Sequence, residues 1–218
     1  RLDYIASALW FGCTPEEYIG YGFYRLNRRA KAEYILQRNM SRLYRPFWSA
    51  HEKPLFRNKD AFGRMFGDFI KREWIYCPNH DAEQIGGFIS RHPRFIAKPP
   101  SLRGGMGIER IDSAEVPDLD ARIEEYRAKR FVLEEVLVQH EALARLNPTS
   151  VNTVRAVCLK DRSGAIHIVA AALRVGGEGS IVDNVDAGGR AFPIDVDSGR
   201  VTQAGIDKLG DRHLYARG

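Results

Sequence analysis

The residues with the clearest chemical potential lie between Phe95 and Asp112, in the stretch FIAKPPSLRGGMGIERID. Lys98 is followed by Ser101 and Arg103, interleaved with Gly104, Gly105 and Gly107. Three glycines within four residues let a backbone approach a ligand where a Cβ would stand in the way. Turned N–H groups in such a loop can cradle phosphate oxygens. The hydroxyl and the two positive charges serve the same end, so the chemistry on offer is the holding of a polyphosphate. A plain glycine-rich hairpin turn with a surface lysine fits the same residues. The lysine precedes the glycines, and the chain leaves on the alternating run around Ile108 and Ile111, so the stretch reads as strand, loop, strand. That order differs from a P-loop, whose lysine follows the last glycine and opens a helix. It differs from the dinucleotide fingerprint, which also runs into a helix, and from a protein kinase, whose lysine sits on a later strand.

Two further groups of residues could do chemistry. The run FVLEEVLVQH, Phe131 to His140, is β-rich and carries Glu134 and Glu135. Two carboxylates in an apolar strand are costly to bury unless they meet partners; a strand end with two solvated glutamates is the alternative. Farther on, Arg155 and Arg174 fall on two consecutive strand-like runs. Adjacent antiparallel strands could aim both guanidiniums at one site, and arginine suits planar, multi-oxygen anions. The long loop GGEGSIVDNVDAGGR, Gly176 to Arg190, contains Asp183, Asn184, Asp186 and the pair Gly188-Gly189. Loops of this length and composition are often binding loops or lids. Asp195 and Asp197 flank a turn at Asp197-Ser198-Gly199, where aspartates are common for backbone reasons, so they are not assigned to a metal. The metal ligands, if any, are unknown from the sequence.

The elements that must hold these residues can be read in outline. Residues 1 to about 50 read as helices, dense in aromatics (Tyr18, Tyr21, Phe23, Tyr24, Tyr34) that fit a packing face. Thr14-Pro15-Glu16-Glu17 is a helix start, with a threonine cap and proline at the first position. Asn58-Lys59-Asp60, followed by Phe62, Met65, Phe66 and Phe69, is another. Trp74 to Tyr76 reads as a short strand, and 112–130 contains an exposed helix with Ile123 and Tyr126 at helical spacing. Glu141 to Leu146 is a short helix stopped at Asn147-Pro148. Ser150 to Lys160 alternates like a half-buried strand, Asp161-Arg162-Ser163-Gly164 turns it, and 166–174 returns. Phe192 to Gln203 is a further hairpin.

Composition limits the classes. The chain has 218 residues, 44% hydrophobic and 28% charged, which is ordinary for a globular protein. No apolar run approaches the roughly 20 residues of a membrane helix, so no membrane span is expected. The three cysteines, Cys13, Cys77 and Cys158, form neither a disulfide framework nor a metal cluster. They are expected to be buried thiols in a reducing compartment, with a cytoplasmic location. Net charge is +5, yet Arg25 to Arg72 carries 13 Lys or Arg against 4 Asp or Glu, +9, leaving about −4 for the remainder. Such a segment could face nucleic acid, a membrane surface or an anionic substrate. A solvated helix face with a few phosphate-binding groups also accounts for it, and no RNA-binding signature is present.

Taken in order, KPPSLRGGMGI, VLEEVLVQH, LNPTSVNTVRAV, ALRVGGEGSIVDNVDAGG and IDVDSG resemble the sugar-transfer-associated ATP-grasp family, close to alpha-L-glutamate ligase-related proteins. The likeness runs from about Asn58 to about Gly199. It implies an α+β fold in which two lobes clasp ATP. The expected division is a helical segment over 1–57 and an ATP-grasp domain over 58–218. That domain splits into a lid lobe over 58–133 and a partial second lobe over 134–218. By the resemblance, Lys59 and Lys98 contact the nucleotide, and Ser101, Gly104, Gly105 and Gly107 form the phosphate lid. Glu134, Glu135, Val136 and Leu137 match the interlobe hinge that meets the adenine edge, with Gln139 or Glu141 for the ribose. Arg155 matches an arginine near the γ-phosphate, and Arg174 with Asn184 belongs to the region that shapes the acceptor site. The implied reaction joins a small-molecule carboxylate to an amine through an acyl phosphate, with ATP and Mg²⁺. The setting the resemblance suggests is glycan or cell-envelope biosynthesis. The departure lies at the end. The family supplies its metal carboxylates late, whereas after Gly199 this chain offers only Asp207 and Asp211 in no such arrangement; truncation at the C-terminus is the expectation. A kinase on the same fold and a non-catalytic nucleotide- or RNA-binding module are the rival readings, and nucleic acid is not expected as a partner.

Overall fold

A computed structural model describes residues 2–44, 58–100 and 107–214 of the chain. These form two compact units, one within Ala50–Gln139 and one combining Arg1–Ser49 with His140–Gly218. Each is described by itself.

The two-segment unit begins with α1 (Leu2–Phe11), α2 (Pro15–Gly20), α3 (Arg28–Ala32) and α4 (Gln37–Tyr44). The expected start at Thr14 is present as a full capping box: Glu17 N donates to Thr14 Oγ1, and Thr14 N donates to the Glu17 carboxylate. Two orphan donors of the first turn are thereby satisfied. Cys13, Phe23 and Leu36 form a small core, with Phe11, Tyr18 and Leu26 packed on it. Lys31 is buried against this core and donates to both oxygens of Asp3, at 2.6 and 2.7 Å. The expected aromatic packing face is only partly present: Phe23 is buried and Tyr18 packs on the core, whereas Tyr21, Tyr24 and Tyr34 are exposed and make ring contacts at its edge.

The unit within Ala50–Gln139 is a four-stranded sheet with helices packed on it. Its elements are α5 (Lys59–Met65), β1 (Trp74–Tyr76), α6 (Ala82–Arg91), β2 (Arg94–Lys98), β3 (Glu109–Asp112), α7 (Leu119–Ala128) and β4 (Val132–Glu135). All pairings are antiparallel, in the order β1-β4-β2-β3. Side chains alternate across the sheet. Ile75, Leu133, Phe95, Ala97 and Ile111 therefore face one side, where Ile85, Phe88 and Ile89 of α6 and Ile123 and Tyr126 of α7 complete the core. The Phe95 and Tyr126 rings meet edge to face at 6.1 Å. The opposite face carries Trp74, Glu134 and Ile96 in one cross-strand row, and Tyr76, Val132 and Lys98 in the next. The expected lobe boundary at 133/134 falls inside β4.

The remaining elements belong to the two-segment unit: α8 (Glu141–Ala144), β5 (Thr153–Lys160), β6 (Ile166–Val175), β7 (Arg190–Ile194), β8 (Gly205–Ile206) and β9 (Arg212–His213). The strands form an antiparallel sheet in chain order. The expected hairpin turns are in place. Asp161 accepts from the N–H groups of Ser163 and Ala165, and Asp195 accepts from that of Ser198. Two expectations fail here. Strand β5 is not half-buried: all of Val154 to Lys160 is exposed, together with Ile166 to Ala170 of β6. Cys158 is an exposed thiol, whereas Cys13 and Cys77 are buried. Alternation in a sequence marks two faces but does not say that either is covered.

No helix among the described residues is long and apolar enough to cross a membrane.

Candidate functional site

The other face of the β1–β4 sheet, where α5 packs through Gly63 on Trp74, borders a cavity of about 380 Å³, within the size range of about 300–1,000 Å³ for small-molecule sites. Its walls are Lys59, Phe62, Gly63, Ile70, Arg72, Trp74, Lys98, Val132 and Glu134. Phe62, Ile70, Trp74 and Val132 make an apolar side. Three cations and one carboxylate make the other.

Local structure explains each placement. Asn58 caps α5, accepting from the N–H groups of Asp60 and Ala61, and so fixes the first turn that carries Lys59. Lys59 Nζ donates to the carbonyl of Pro99, just past β2. Lys98 is the last residue of β2, on the cavity face. Pro99 and Pro100 follow it, and neither has an N–H to continue the ladder. Gly63 leaves room for the Trp74 ring: a Cβ there would lie 2.4 Å from the ring.

Glu134 organises the polar side. Its Oε2 accepts from Lys98 Nζ at 2.6 Å and from Arg72 Nε at 2.6 Å. Its side chain is only 11% exposed. Burial alone is the largest influence and raises its pKa, but attraction from Lys98 and the contact with Arg72 outweigh burial and hold the carboxyl below the usual glutamate value. Lys59 is pulled below the ordinary lysine value, first by burial and then by repulsion from Lys98, with Glu134 opposing. Three cations against one carboxylate leave the cavity with a surplus of positive charge, and two lysines that repel each other are relieved by a bound anion. An apolar wall beside an anion subsite fits a nucleobase joined to phosphates.

Several of the anticipated residues converge and others do not. Lys59, Lys98 and Glu134 meet in this cavity. Glu135 points to the other face of the strand and accepts from Glu73 N at 2.9 Å. Val136, Leu137 and Gln139 follow the strand and are not among the cavity-lining residues; Leu137 is exposed. Glu141 is exposed on α8 and paired with Arg145. Gly107 has φ 66°, in the left-handed region that glycine favours. Ser101, Gly104 and Gly105 lie outside the described residues. The sequence does not point to Arg72, nor to Phe62, Ile70 and Val132 as cavity walls. Arg72 sits two residues before β1, and its relation to Glu134 follows from the pairing of Trp74 with Glu134, which no local pattern announces.

In the other unit, Arg155 and Arg174 share one face of the sheet, because Arg155 pairs with Ala172 and Thr153 with Arg174. Arg155 is exposed. Arg174 donates to Thr153 Oγ1 at 2.8 and 3.2 Å and lies 3.2 Å from Asp183. Thr153 Oγ1 donates in turn to the buried carboxylate of Asp183. Asn184 accepts from Asp186 N at 2.8 Å and caps a 3-10 turn over Val185–Ala187. Thr153 is a residue the sequence does not single out. Among the described residues no three His, Cys, Asp or Glu side chains are grouped to hold a metal ion. No residue is assigned to Mg²⁺.

Helices packed on two antiparallel sheets define an α+β class. The chain belongs to the sugar-transfer associated ATP-grasp family, whose model matches residues 38–216. A search of curated proteins found no match to the chain. Membership implies ATP binding and an ATP-dependent, ligase-type activity.

Proposed function

We propose that the protein is an ATP-dependent carboxylate–amine ligase, with the Lys59, Lys98 and Glu134 cavity as its nucleotide site. The observation that carries this reading is the placement of two mutually repelling lysines beside an apolar wall. Lys98 and Lys59 would meet phosphate oxygens, and Trp74, Ile70 and Val132 would flank the base. Arg155 and Arg174, on one sheet face, are the candidates for the acyl-transfer end, where Asp183 and Thr153 hold Arg174 in place. Bound ATP supplies a γ-phosphoryl group that an acceptor carboxylate attacks, releasing ADP and forming an acyl phosphate; an amine then displaces phosphate and forms the amide. The protein's part in such a transfer is positioning and neutralisation of charge, with no side-chain nucleophile. The family description favours an acceptor in glycan metabolism.

Incubation with ATP, Mg²⁺, a panel of sugar acids and hydroxylamine tests the reading. A hydroxamate formed only with ATP and a carboxylate is the expected product. A phosphate ester without hydroxamate would replace the ligase with a kinase. Neither product, together with tight binding of an RNA oligomer that weakens steeply with salt, would replace it with a binding module.

A further inference from the structure

We infer that Arg72 is a positioning residue that frees Lys98 to move from Glu134 to a phosphate, by keeping Glu134 ionised when Lys98 leaves. This rests on the nucleotide reading of the cavity. Lys98 Nζ and Arg72 Nε contact the same oxygen, Glu134 Oε2, each at 2.6 Å. A carboxylate this buried with a single cation could not release that cation cheaply, because an uncompensated buried charge is strongly destabilising or is neutralised by a proton. With two cations on one oxygen, one can depart.

The chemistry of the two side chains says which. Guanidinium is always charged, and its planar, directional donors favour a fixed carboxylate contact. The lysine ammonium is a compact charge on a flexible stem, and Lys98 stands at the end of β2 beside Pro99. Among the described residues, no other cation on this face bonds to Glu134 in place of Arg72. Lys59 from α5 donates to the Pro99 carbonyl and makes no bond to Glu134. Arg110 is on β3, in register with Ile96 and one strand beyond it. Among the described residues, Glu134 is thus faced by Lys98 from β2, Arg72 from the segment before β1 and Lys59 from α5, and of these only Lys98 and Arg72 bond to it.

The test is calorimetric titration of a non-hydrolysable ATP analogue with Mg²⁺. It would be run between about pH 6 and 8, in buffers of different ionisation enthalpy, on the parent, Arg72→Leu and Arg72→Lys. In Arg72→Leu, departure of Lys98 leaves Glu134 buried and alone, so it takes up a proton. The variant is expected to take up close to one more proton than the parent, and its affinity to fall about tenfold more per pH unit as pH rises. Arg72→Lys should restore the parent's slope. If Arg72→Leu does not fold, Arg72→Gln, which keeps a donor without the charge, must show the same uptake. A folded neutral variant whose proton uptake and pH slope equal those of the parent overturns the inference while leaving the nucleotide reading intact. A parent that does not bind the analogue overturns the nucleotide reading itself, and this role with it.

Discussion

At the scale of single residues, the cavity depends on Glu134 and Gly63. Replacing Glu134 with Ala leaves Lys98 and Arg72 facing each other without a counter-charge. Losing one member of a buried ion pair costs about 3–5 kcal/mol, so Glu134→Ala is expected to lose stability on that scale in denaturant unfolding. The carboxyl titrates below its ordinary value of 4.5. A depressed carboxylate adds stability that is present above that value and is lost as pH falls through the folded pKa, so the contribution of Glu134 should fade only in acid. Gly63→Ala sets two effects against each other. Alanine gains about 1 kcal/mol of helix propensity, while a Cβ at 2.4 Å from the Trp74 ring overpacks the wall at about 1–3 kcal/mol. The clash is the larger effect, so the variant is expected to melt lower and to bind nucleotide more weakly. Lys98 can be singled out in the sequence because it precedes the glycine-rich loop, and Glu134 because a carboxylate is unusual in an apolar strand. Arg72 cannot: it is one arginine among 13 Lys or Arg in its segment, and only strand pairing brings it to Glu134.

At the scale of elements, the helix starts and strands are local facts and are legible as such. Thr14 and Asn58 cap helices through their own side chains, and Trp74–Tyr76 is a strand of three β-favouring residues. What covers a strand is not local. The β5–β6 hairpin alternates like a half-buried strand, yet its outer part is exposed and takes Cys158 with it. Cys158 is therefore expected to react at once with an aromatic disulfide reagent in the native protein. Cys77 should react only on unfolding, since burial pushes its thiol up to about 12, and thiolate is the reactive form. Simultaneous reaction of all three thiols would contradict the packing. The Gly176–Arg190 loop is recognisable by its glycines, and Gly189 shows why one of them is needed. A Cβ there would stand 2.7 Å from the Asp183 carbonyl oxygen and 2.8 Å from that of Asn184, and backbone cannot yield as a side-chain tip can. Gly189→Ala is expected to displace the loop that holds Asp183 against Thr153 and to lower the melting temperature.

At the scale of the whole molecule, the uneven charge has a partial explanation. Lys59 and Arg72 of the basic segment line the cavity, and Lys31 is buried with Asp3; the segment is more than a solvated face. Buried contacts are also unevenly shared. The core between α6, α7 and the β1–β4 sheet holds Ile85, Phe88, Phe95, Tyr126 and Leu133 at 1% exposure or less. Amides of β2 and β4 are therefore expected to be among the slowest to exchange with deuterium, and those of the outer β5–β6 hairpin among the faster ones. The central claim is that the Lys98–Glu134 cavity holds ATP. Calorimetric titration of MgATP into the parent and into Lys98→Ala tests it most directly. Loss of one charge-assisted contact of about 1.5–3 kcal/mol predicts binding by the parent and an affinity roughly 10- to 100-fold weaker in the variant. Equal affinity in the two proteins would contradict it and move the nucleotide elsewhere.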